Sequence, residues 1–350
     1  MKYLLDLKAL KPGDIVLESG ETPFFSEAIK KATKSDYSHA MIYTDQTLIH
    51  AVKKEGVFSK NPQRILVSSE EGFKVLRLKD ASLRSKLNRV CDNARTKVGS
   101  LYSITEASMS VLPNNLERTS RKQFCSRLVA QSYSQAGISL VDDANYCTPE
   151  DLNNSPLLEV VNNCVREATE KDLEMVSRAD PNIENQAETF KWLNLSRKHL
   201  KKEGAEIQTI NDVSEHLSKN NSSDKRICKF INSTRYLKLY NIDRSLNPYR
   251  YSNQEFIEKL QSALNHGEIL ANEIELNRTE LERHEKSLKI ARYNYHNVKL
   301  KFTKLHIQLY RRLLLETECR LKVIKKYPLI DDQSLKIVGH YLLRVSRLIR

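Results

Sequence analysis

The sequence lacks paired cysteines, although it contains six of them. They stand at positions 91, 125, 147, 164, 228 and 319, with no CxxC pair and without the close, regular spacing of a secreted disulfide framework. A reducing compartment therefore fits this cysteine usage best. A long hydrophobic run is also missing, since no window approaches the roughly 18 apolar residues of a membrane-spanning helix.

The N-terminus has little of the character of a signal peptide. Its apolar residues are interrupted by Asp6 and Lys8, and no small-residue cleavage site follows them. We therefore expect no Sec signal peptide and a cytoplasmic protein. Export by a dedicated secretion machine, or in a phage particle, would leave no trace in these features.

The charge is unevenly distributed along the chain. The formal net charge is +13, and most of the excess lies after residue 165. The basic C-terminal half is therefore the part of the chain that we expect to contact a membrane surface or an anionic polymer. Nucleic acid is not an expected partner, because a charged helical repeat explains these basic residues as well as a phosphate groove does.

Short runs rich in β-branched and aromatic residues occur early in the chain, separated by Gly, Pro, Asp and Ser. This pattern predicts four strands of a small antiparallel sheet, at residues 13–18, 38–43, 47–52 and 73–78. Apolar residues at helical spacing predict helices as well, around residues 24–33, 81–98, 125–136 and 149–163. The predicted fold class of this part is therefore α+β.

Beyond about residue 166 the β pattern disappears, and Glu, Lys, Asn, Leu and Arg dominate. This half is predicted to be all-α. A chain of 350 residues is long enough for two domains or three small ones. We expect a first domain over 1–165, a helical middle region over 166–250, and a long helix with a basic C-terminal helix over 251–350.

A heptad pattern marks the last of these regions. No proline occurs between Gln254 and Tyr327, and Pro328 then ends the segment. Apolar residues recur at seven-residue steps in two registers, at Ile274, Leu281, Leu288, Tyr295, Phe302 and Leu309, and at Ala291, Val298 and Leu305. The repeat predicts a long helix in a coiled coil or helical hairpin, and a homo-oligomer formed through it is one consequence. Asn277 and His284 interrupt the second register, where they either specify pairing or are solvated.

Only two of the nine histidines lie in the first 198 residues, and both fall in predicted strands, at His39 and His50. If Asp45 and Gln46 form a two-residue hairpin turn, His39 and His50 become diagonal neighbours on one face of the ladder. Their rings would then be within hydrogen-bonding reach. A three-residue turn would instead place them on opposite faces.

Cys125 opens a segment with helical apolar spacing that ends at Gly137. In the first turn of a helix, free N–H groups and the helix dipole favour a thiolate, so we expect a depressed pKa for Cys125. The same N–H groups could bind an oxyanion. A thiolate beside an imidazole oriented by a third polar group is the usual arrangement for cysteine nucleophiles.

Two groups of motifs carry a family resemblance. The first half contains Gly13-Asp14-Ile15-Val16, the run from Ala32 to Tyr43 that includes Ser38-His39-Ala40, Leu48-Ile49-His50-Ala51-Val52, and Gly56-Val57. The second half contains Gly99-Ser100-Leu101-Tyr102, Phe124-Cys125-Ser126, Leu128-Val129-Ala130, Thr148-Pro149-Glu150-Asp151-Leu152 and Ser155-Pro156. Over about residues 11–160 the chain resembles the YiiX-like proteins, a circularly permuted branch of the NlpC-type papain-like superfamily.

The resemblance implies a thiol hydrolase with Cys125 as nucleophile, His39 as general base and acid, and His50 as third polar residue. Tyr102 corresponds to a tyrosine that lies beside the nucleophile in relatives and helps the oxyanion. It implies neither a cofactor nor a metal. A zinc site of His39, His50 and Cys125 is geometrically conceivable, but no paired ligand motif such as HExxH supports it.

The expected reaction is cleavage of an amide or ester in a peptide or an acyl lipid through an acyl-enzyme. Lecithin:retinol acyltransferase-like proteins share the order His, His, Cys, so lipid acyl transfer is an alternative. Their sequence around the nucleophile differs from Phe124-Cys125-Ser126. A third alternative is a non-catalytic interaction protein whose helical half binds a partner.

Overall fold

A computed structural model of the chain describes residues 1–19, 36–109 and 120–350. The predicted helix around 24–33 lies outside these residues. The chain forms two compact units, one of Met1–Gln186 with Glu206–Asp212 and the other of Ala187–Ala205 with Val213–Arg350. The boundaries expected at residues 165 and 250 stay predictions.

The strands of the described residues all lie in the first unit. They are β1 (Tyr3–Leu5), β2 (Ile15–Glu18), β3 (His39–Tyr43), β4 (Leu48–Val52), β5 (Gly56–Lys60), β6 (Phe73–Leu78), β7 (Leu158–Val161) and β8 (Val165–Glu167). An antiparallel sheet of 6 strands has the order β5-β4-β3-β2-β6-β7, and β1 pairs with β8 separately. The four predicted strands are confirmed as β2, β3, β4 and β6.

Helices occur in both units. They are α1 (Leu87–Thr96), α2 (Ile104–Met109), α3 (Cys125–Ser134), α4 (Pro149–Asn153), α5 (Glu170–Ser177), α6 (Pro181–Leu200), α7 (Ile210–Lys219), α8 (Asp224–Asn232), α9 (Ile242–Leu246), α10 (Asn253–Gln261), α11 (His266–Asn297), α12 (Lys301–Lys325) and α13 (Asp332–Ile349). The α+β fold followed by an all-helical region is thereby confirmed.

Both faces of the larger sheet are buried, because alternate residues of each central strand join different apolar clusters. On β2, Ile15 and Leu17 contribute to the cluster that contains α1 and α3, whereas Val16 contributes to the other. The helix that begins at Cys125 thus packs on one face of the sheet. This packing brings the start of α3 to β3, the strand that begins at His39.

One predicted helix is wrong in its second half. The segment 149–163 begins as α4, but this helix ends at Asn153, and Leu158–Val161 forms the edge strand β7 against β6. Ser155 and Pro156 break the helix, and the β-branched Val160 and Val161 then favour an extended chain.

The heptad stretch forms a hairpin of two helices, α11 and α12, in the second unit. The predicted single helix is interrupted at residues 298–300. The first-register residues Leu281 and Leu288 are fully buried within the chain. Asn277 and His284 are also buried, so solvation does not explain either; Asn277 Oδ1 accepts a hydrogen bond from Arg320 Nε of the opposite helix at 3.0 Å.

No helix in the described parts of the chain combines the length and the apolar character needed to cross a membrane.

Candidate functional site

The β3–β4 hairpin has the two-residue turn that the sequence predicts. Asp45 and Gln46 have φ values of 61° and 63°, and the N–H of Thr44 donates to the carbonyl of Thr47 at 2.7 Å. Two successive left-handed residues match a type I′ turn, whose twist suits a tight hairpin. The turn sets Tyr43 opposite Leu48. This register is the one that places the two histidines diagonally.

The imidazoles of His39 and His50 form a hydrogen-bonded pair. His39 Nε2 lies 2.9 Å from His50 Nδ1, and His50 also packs on the ring of Phe58, with centroids 4.3 Å apart. When His39 Nε2 donates the shared proton, its Nδ1 keeps a lone pair and can accept a proton from a nucleophile. In this tautomer His50 is the acceptor and His39 is a base.

Both imidazoles are neutral at neutral pH. Burial, together with the nearby charge of Lys60, lowers the pKa of His39 to about 4. The pKa of His50 lies well below its usual range because of burial and, to a lesser extent, of His39 and Lys60. A neutral His39 is in the protonation state that a general base requires.

Cys125 is the first residue of α3, directly after the extended Phe124. Cys125 as a whole residue is 6% exposed. The N–H of Ala40, the residue after His39, is directed at its thiol. The β3–β4 ladder pairs only Ile42 with Ile49 and Tyr43 with Leu48, so Ala40 lies beyond it. The thiol of Cys125 thus lies beside the backbone of the residue that follows His39, where the two strands separate.

The expected depression of the Cys125 pKa is wrong. Burial raises the pKa of this thiol, and hydrogen bonds from the N–H groups of Ala40 and Ser126 offset this only in part. The helix N-terminus acts as expected, but the cost of placing a charge in an apolar core is larger. The resting pair is therefore a thiol and a neutral imidazole.

Tyr102 lies beside the segment that leads into the nucleophile. Its backbone forms a parallel bridge with Gln123, and its side chain packs against the apolar cluster that includes Cys125. Burial and, second, the proximity of Cys125 raise its pKa. The phenol therefore keeps its proton and can donate a hydrogen bond.

Arg127 of α3 and Glu106 of α2 form a buried ion pair that was not predicted from the sequence. Arg127 is fully buried, and its Nη1 lies 3.0 Å from Oε2 of Glu106, which is 7% exposed. Burial raises the pKa of Glu106, but hydrogen bonds from Arg127, Ser103 and Ser120 outweigh it and lower the pKa to about 2. Arg127 Nε also donates to the Asn145 carbonyl at 2.7 Å. Together these bonds anchor the first turn of the helix that carries Cys125.

The histidine pKa values can be checked by NMR titration of the ring carbon-bound protons in the full-length protein. His39 is expected to stay neutral as the pH falls from 7 to 5 and to protonate near pH 4, because burial disfavours its cation. Unfolding releases this constraint, so stability should fall as the pH drops from the ordinary value of 6.5 towards 4. A His39→Gln variant assigns the resonance. Protonation of His39 near pH 6.5 in the folded chain would contradict the prediction.

The role of His50 can be tested with a pair of substitutions. His50→Leu removes the partner of His39 Nε2, and we expect a fall in turnover of about 100-fold from loss of orientation. His50→Asn keeps an acceptor at the δ position and should retain most of the activity. Equal losses in the two variants would indicate that His50 acts through packing against Phe58 and not through its hydrogen bond to His39.

Among residues 1–19, 36–109 and 120–350, no three His, Cys, Asp or Glu side chains form a cluster that could hold a metal ion.

Comparison with known proteins gives one finding for this region. Residues 9–159 match the sequence model of a family described as permuted papain-like amidase enzyme, YaeF/YiiX, C92 family. The match covers β2 to β6, the first two residues of β7 and the whole of α3, including His39, His50, Tyr102 and Cys125. No curated protein matches the chain.

Proposed function

We propose that the chain is a thiol hydrolase that cleaves an amide bond through an acyl-enzyme on Cys125, since residues 9–159 match the model of a permuted papain-like amidase family. His39 is the general base and acid in this proposal, and His50 orients it. The observation that carries the proposal is the 2.9 Å hydrogen bond between the imidazoles of His39 and His50, together with the N–H of Ala40, the residue after His39, directed at the Cys125 thiol.

The first half of the reaction forms the acyl-enzyme. Sγ of Cys125 attacks the carbonyl carbon while its proton passes to Nδ1 of His39. Because the thiol pKa is raised, this transfer accompanies attack and does not precede it. The C–N bond then breaks, and His39 returns the proton to the leaving amine.

The second half releases the acid. Water gives a proton to His39 as it attacks the thioester carbon, the C–S bond breaks, and the proton returns to the thiol. In both halves the negative oxygen needs donors. The first N–H groups of α3 and the protonated hydroxyl of Tyr102 are the groups that we propose for this role.

The test is to trap the acyl-enzyme and identify the acyl part. The full-length protein is incubated with a lysate, quenched in acid and digested, and the mass added to the peptide of Cys125 is measured. A peptidyl or amino-acyl mass supports an amidase. A fatty-acyl mass would contradict the amidase and indicate acyl-lipid hydrolysis instead. Transfer of the acyl group to an added amine, without release of free acid, would indicate an acyltransferase.

An electrophilic probe separates enzymes from a non-catalytic interaction protein. An acyl-like electrophile should label Cys125 selectively, because His39 accepts its proton. The same protein supplies the controls for this labelling, since four other free cysteines are also buried: Cys91, Cys147, Cys164 and Cys228. Unselective labelling, or none at Cys125, would overturn the proposed mechanism.

A further inference from the structure

The segment Glu206–Asp212 belongs to the first unit, although the chain on either side of it lies in the second unit. It begins α7 with a capping box, in which the Asp212 carboxylate accepts from the N–H of Thr209 at 2.8 Å and the Thr209 hydroxyl accepts from the N–H of Asp212 at 3.3 Å. The segment also lies outside the matched range 9–159. The first unit is therefore larger than the part that matches the family.

Gln208 of this segment binds the backbone next to Tyr102. Its Oε1 accepts a hydrogen bond from the N–H of Leu101 at 3.0 Å, and its Nε2 donates to Oε1 of Glu206 at 3.2 Å. The two contacts define the orientation of the amide, because only its oxygen can accept and only its nitrogen can donate. Gln208 is 4% exposed, so water does not readily replace it as the acceptor for Leu101.

The backbone of Tyr102 is paired with the chain that leads into the nucleophile. In its parallel bridge with Gln123, the N–H of Gln123 donates to the carbonyl of Leu101 at 2.9 Å, and the N–H of Ser103 donates to the carbonyl of Gln123 at 2.8 Å. Gln123 is two residues before Cys125. The bridge therefore sets where the Tyr102 side chain starts relative to the thiol.

The segment Glu206–Asp212 contacts both chains of this bridge. One is held by Gln208, and the other is held by Arg121, which donates from Nη1 to the Glu206 carbonyl at 3.1 Å and from Nη2 to the Asp212 carboxylate. The Arg121 side chain is 54% exposed, so its ion pair contributes little. Gln208 is therefore the contact with the larger expected effect on the bridge.

We propose that Gln208 is a positioning residue for Tyr102, because it holds the backbone at Leu101 so that the phenol donates to the negative oxygen formed when Cys125 attacks a carbonyl. This role rests on the proposed function, in which Tyr102 is one of the oxyanion donors. A displaced donor is costly, since hydrogen bonds weaken steeply as their geometry departs from the optimum. A residue outside the matched range 9–159 thus completes the catalytic unit.

The test compares two reactions of the Cys125 thiol in the full-length protein. Para-nitrophenyl acetate acetylates a thiol through a tetrahedral oxyanion and releases para-nitrophenolate, whereas iodoacetamide alkylates it by displacement of iodide and forms no oxyanion. The mass of the Cys125 peptide is followed over time with each reagent. Gln208→Met keeps the size of the side chain but lacks the acceptor. It should slow acetylation by about tenfold and leave the alkylation rate unchanged.

A double-mutant cycle shows whether Gln208 acts through Tyr102. Tyr102→Phe removes the phenol hydroxyl and should slow acetylation at least as much as Gln208→Met does. In the Tyr102→Phe background, Gln208→Met should cause no further loss, because the donor that it positions is already absent. Independent roles would instead give losses that multiply.

Two further variants provide rescue and control. Gln208→Glu combined with Glu206→Gln exchanges the amide and the carboxylate, so position 208 still accepts from the N–H of Leu101 and position 206 donates to it. Acetylation should return to near the parent rate. Gln186→Met is the matched control, because Gln186 also lies outside the matched range but donates to the carbonyl of Ser59 in β5. It should leave both rates unchanged.

The outcomes separate this role from the proposed function. If para-nitrophenyl acetate does not acetylate Cys125 in the parent, the proposed function is overturned and the role of Gln208 with it. If the parent is acetylated, three results overturn the role of Gln208 alone: unchanged acetylation in Gln208→Met, an equal loss of acetylation and alkylation, or a further loss in the Tyr102→Phe background. An equal effect of Gln186→Met, or no recovery in the exchanged pair, also overturns it.

Discussion

Turnover is expected to disappear when Cys125 is replaced by alanine, with kcat lowered by about 10⁴-fold or more, because no other group then forms the acyl-enzyme. The variant should fold. Cys125 packs as a small apolar side chain at the start of α3, and loss of its sulfur costs about 1 kcal/mol of unfolding free energy. Circular dichroism and urea unfolding check the fold, and hydrolysis of the substrate identified by trapping checks the activity.

Cys147→Ala provides the matched control for this experiment. Cys147 is 2% exposed and Cys125 6%, so the two substitutions remove similar buried sulfur atoms. The Cys147 carbonyl, which accepts the Ser126 hydroxyl at 2.7 Å, is backbone and survives the change. Cys147→Ala should keep full activity. Retained turnover in Cys125→Ala, or an equal loss in Cys147→Ala, would contradict the assignment of the nucleophile.

The largest expected effect on stability is that of Arg127→Met. This substitution leaves Glu106 buried without its cation, and breaking a buried pair in this way costs about 3–5 kcal/mol of unfolding free energy. The carboxylate also retains hydrogen bonds from Ser103 and Ser120 that were arranged for an ionised group. Urea unfolding at pH 7 measures the loss.

Two further variants show whether the buried charge is the cause. Arg127→Met combined with Glu106→Gln removes both charges and should recover much of the lost stability. Arg178→Met breaks an exposed pair with Glu174 and should change the stability by less than about 1 kcal/mol. If the double variant is no more stable than Arg127→Met, the arginine contributes by packing rather than by charge.

The hairpin of the candidate site could be predicted from sequence because its determinants are local. Alternating apolar residues define β3 and β4, and two residues between them fix the register of His39 against His50. The position of Cys125 at the start of a helix is likewise determined by residues close to it in the sequence. Its pKa is not, because burial of the thiol depends on how α3 packs against the sheet.

The break in the heptad stretch also could not be predicted, because it depends on a residue that is distant in the sequence. Residues 298–300 contain neither proline nor glycine, so the repeat runs through them without a signal. The new helix is capped from a distant point of the sequence, since the carboxylate of Asp224 accepts from the N–H groups of Lys301 and Phe302 at 2.7 and 2.8 Å. Arg127 and Glu106 were likewise unpredictable as a pair, because only the fold brings them together.

Oligomer formation through the long helix and anionic-surface contact by the basic half stay predictions. The buried heptad residues Leu281 and Leu288 are already used within the chain, so pairing of copies would need other residues of the hairpin.

The turn at Asp45 and Gln46 limits how this domain can change over evolutionary time. Surface turns usually accept insertions and deletions freely. Here one added residue would exchange the two faces of β4 and carry His50 away from His39, although the turn itself touches no reacting atom. Substitutions that tolerate left-handed backbone, such as Asn or Gly, remain open to the chain, whereas changes of length do not. Divergence at this turn should therefore occur in residue identity and not in residue number.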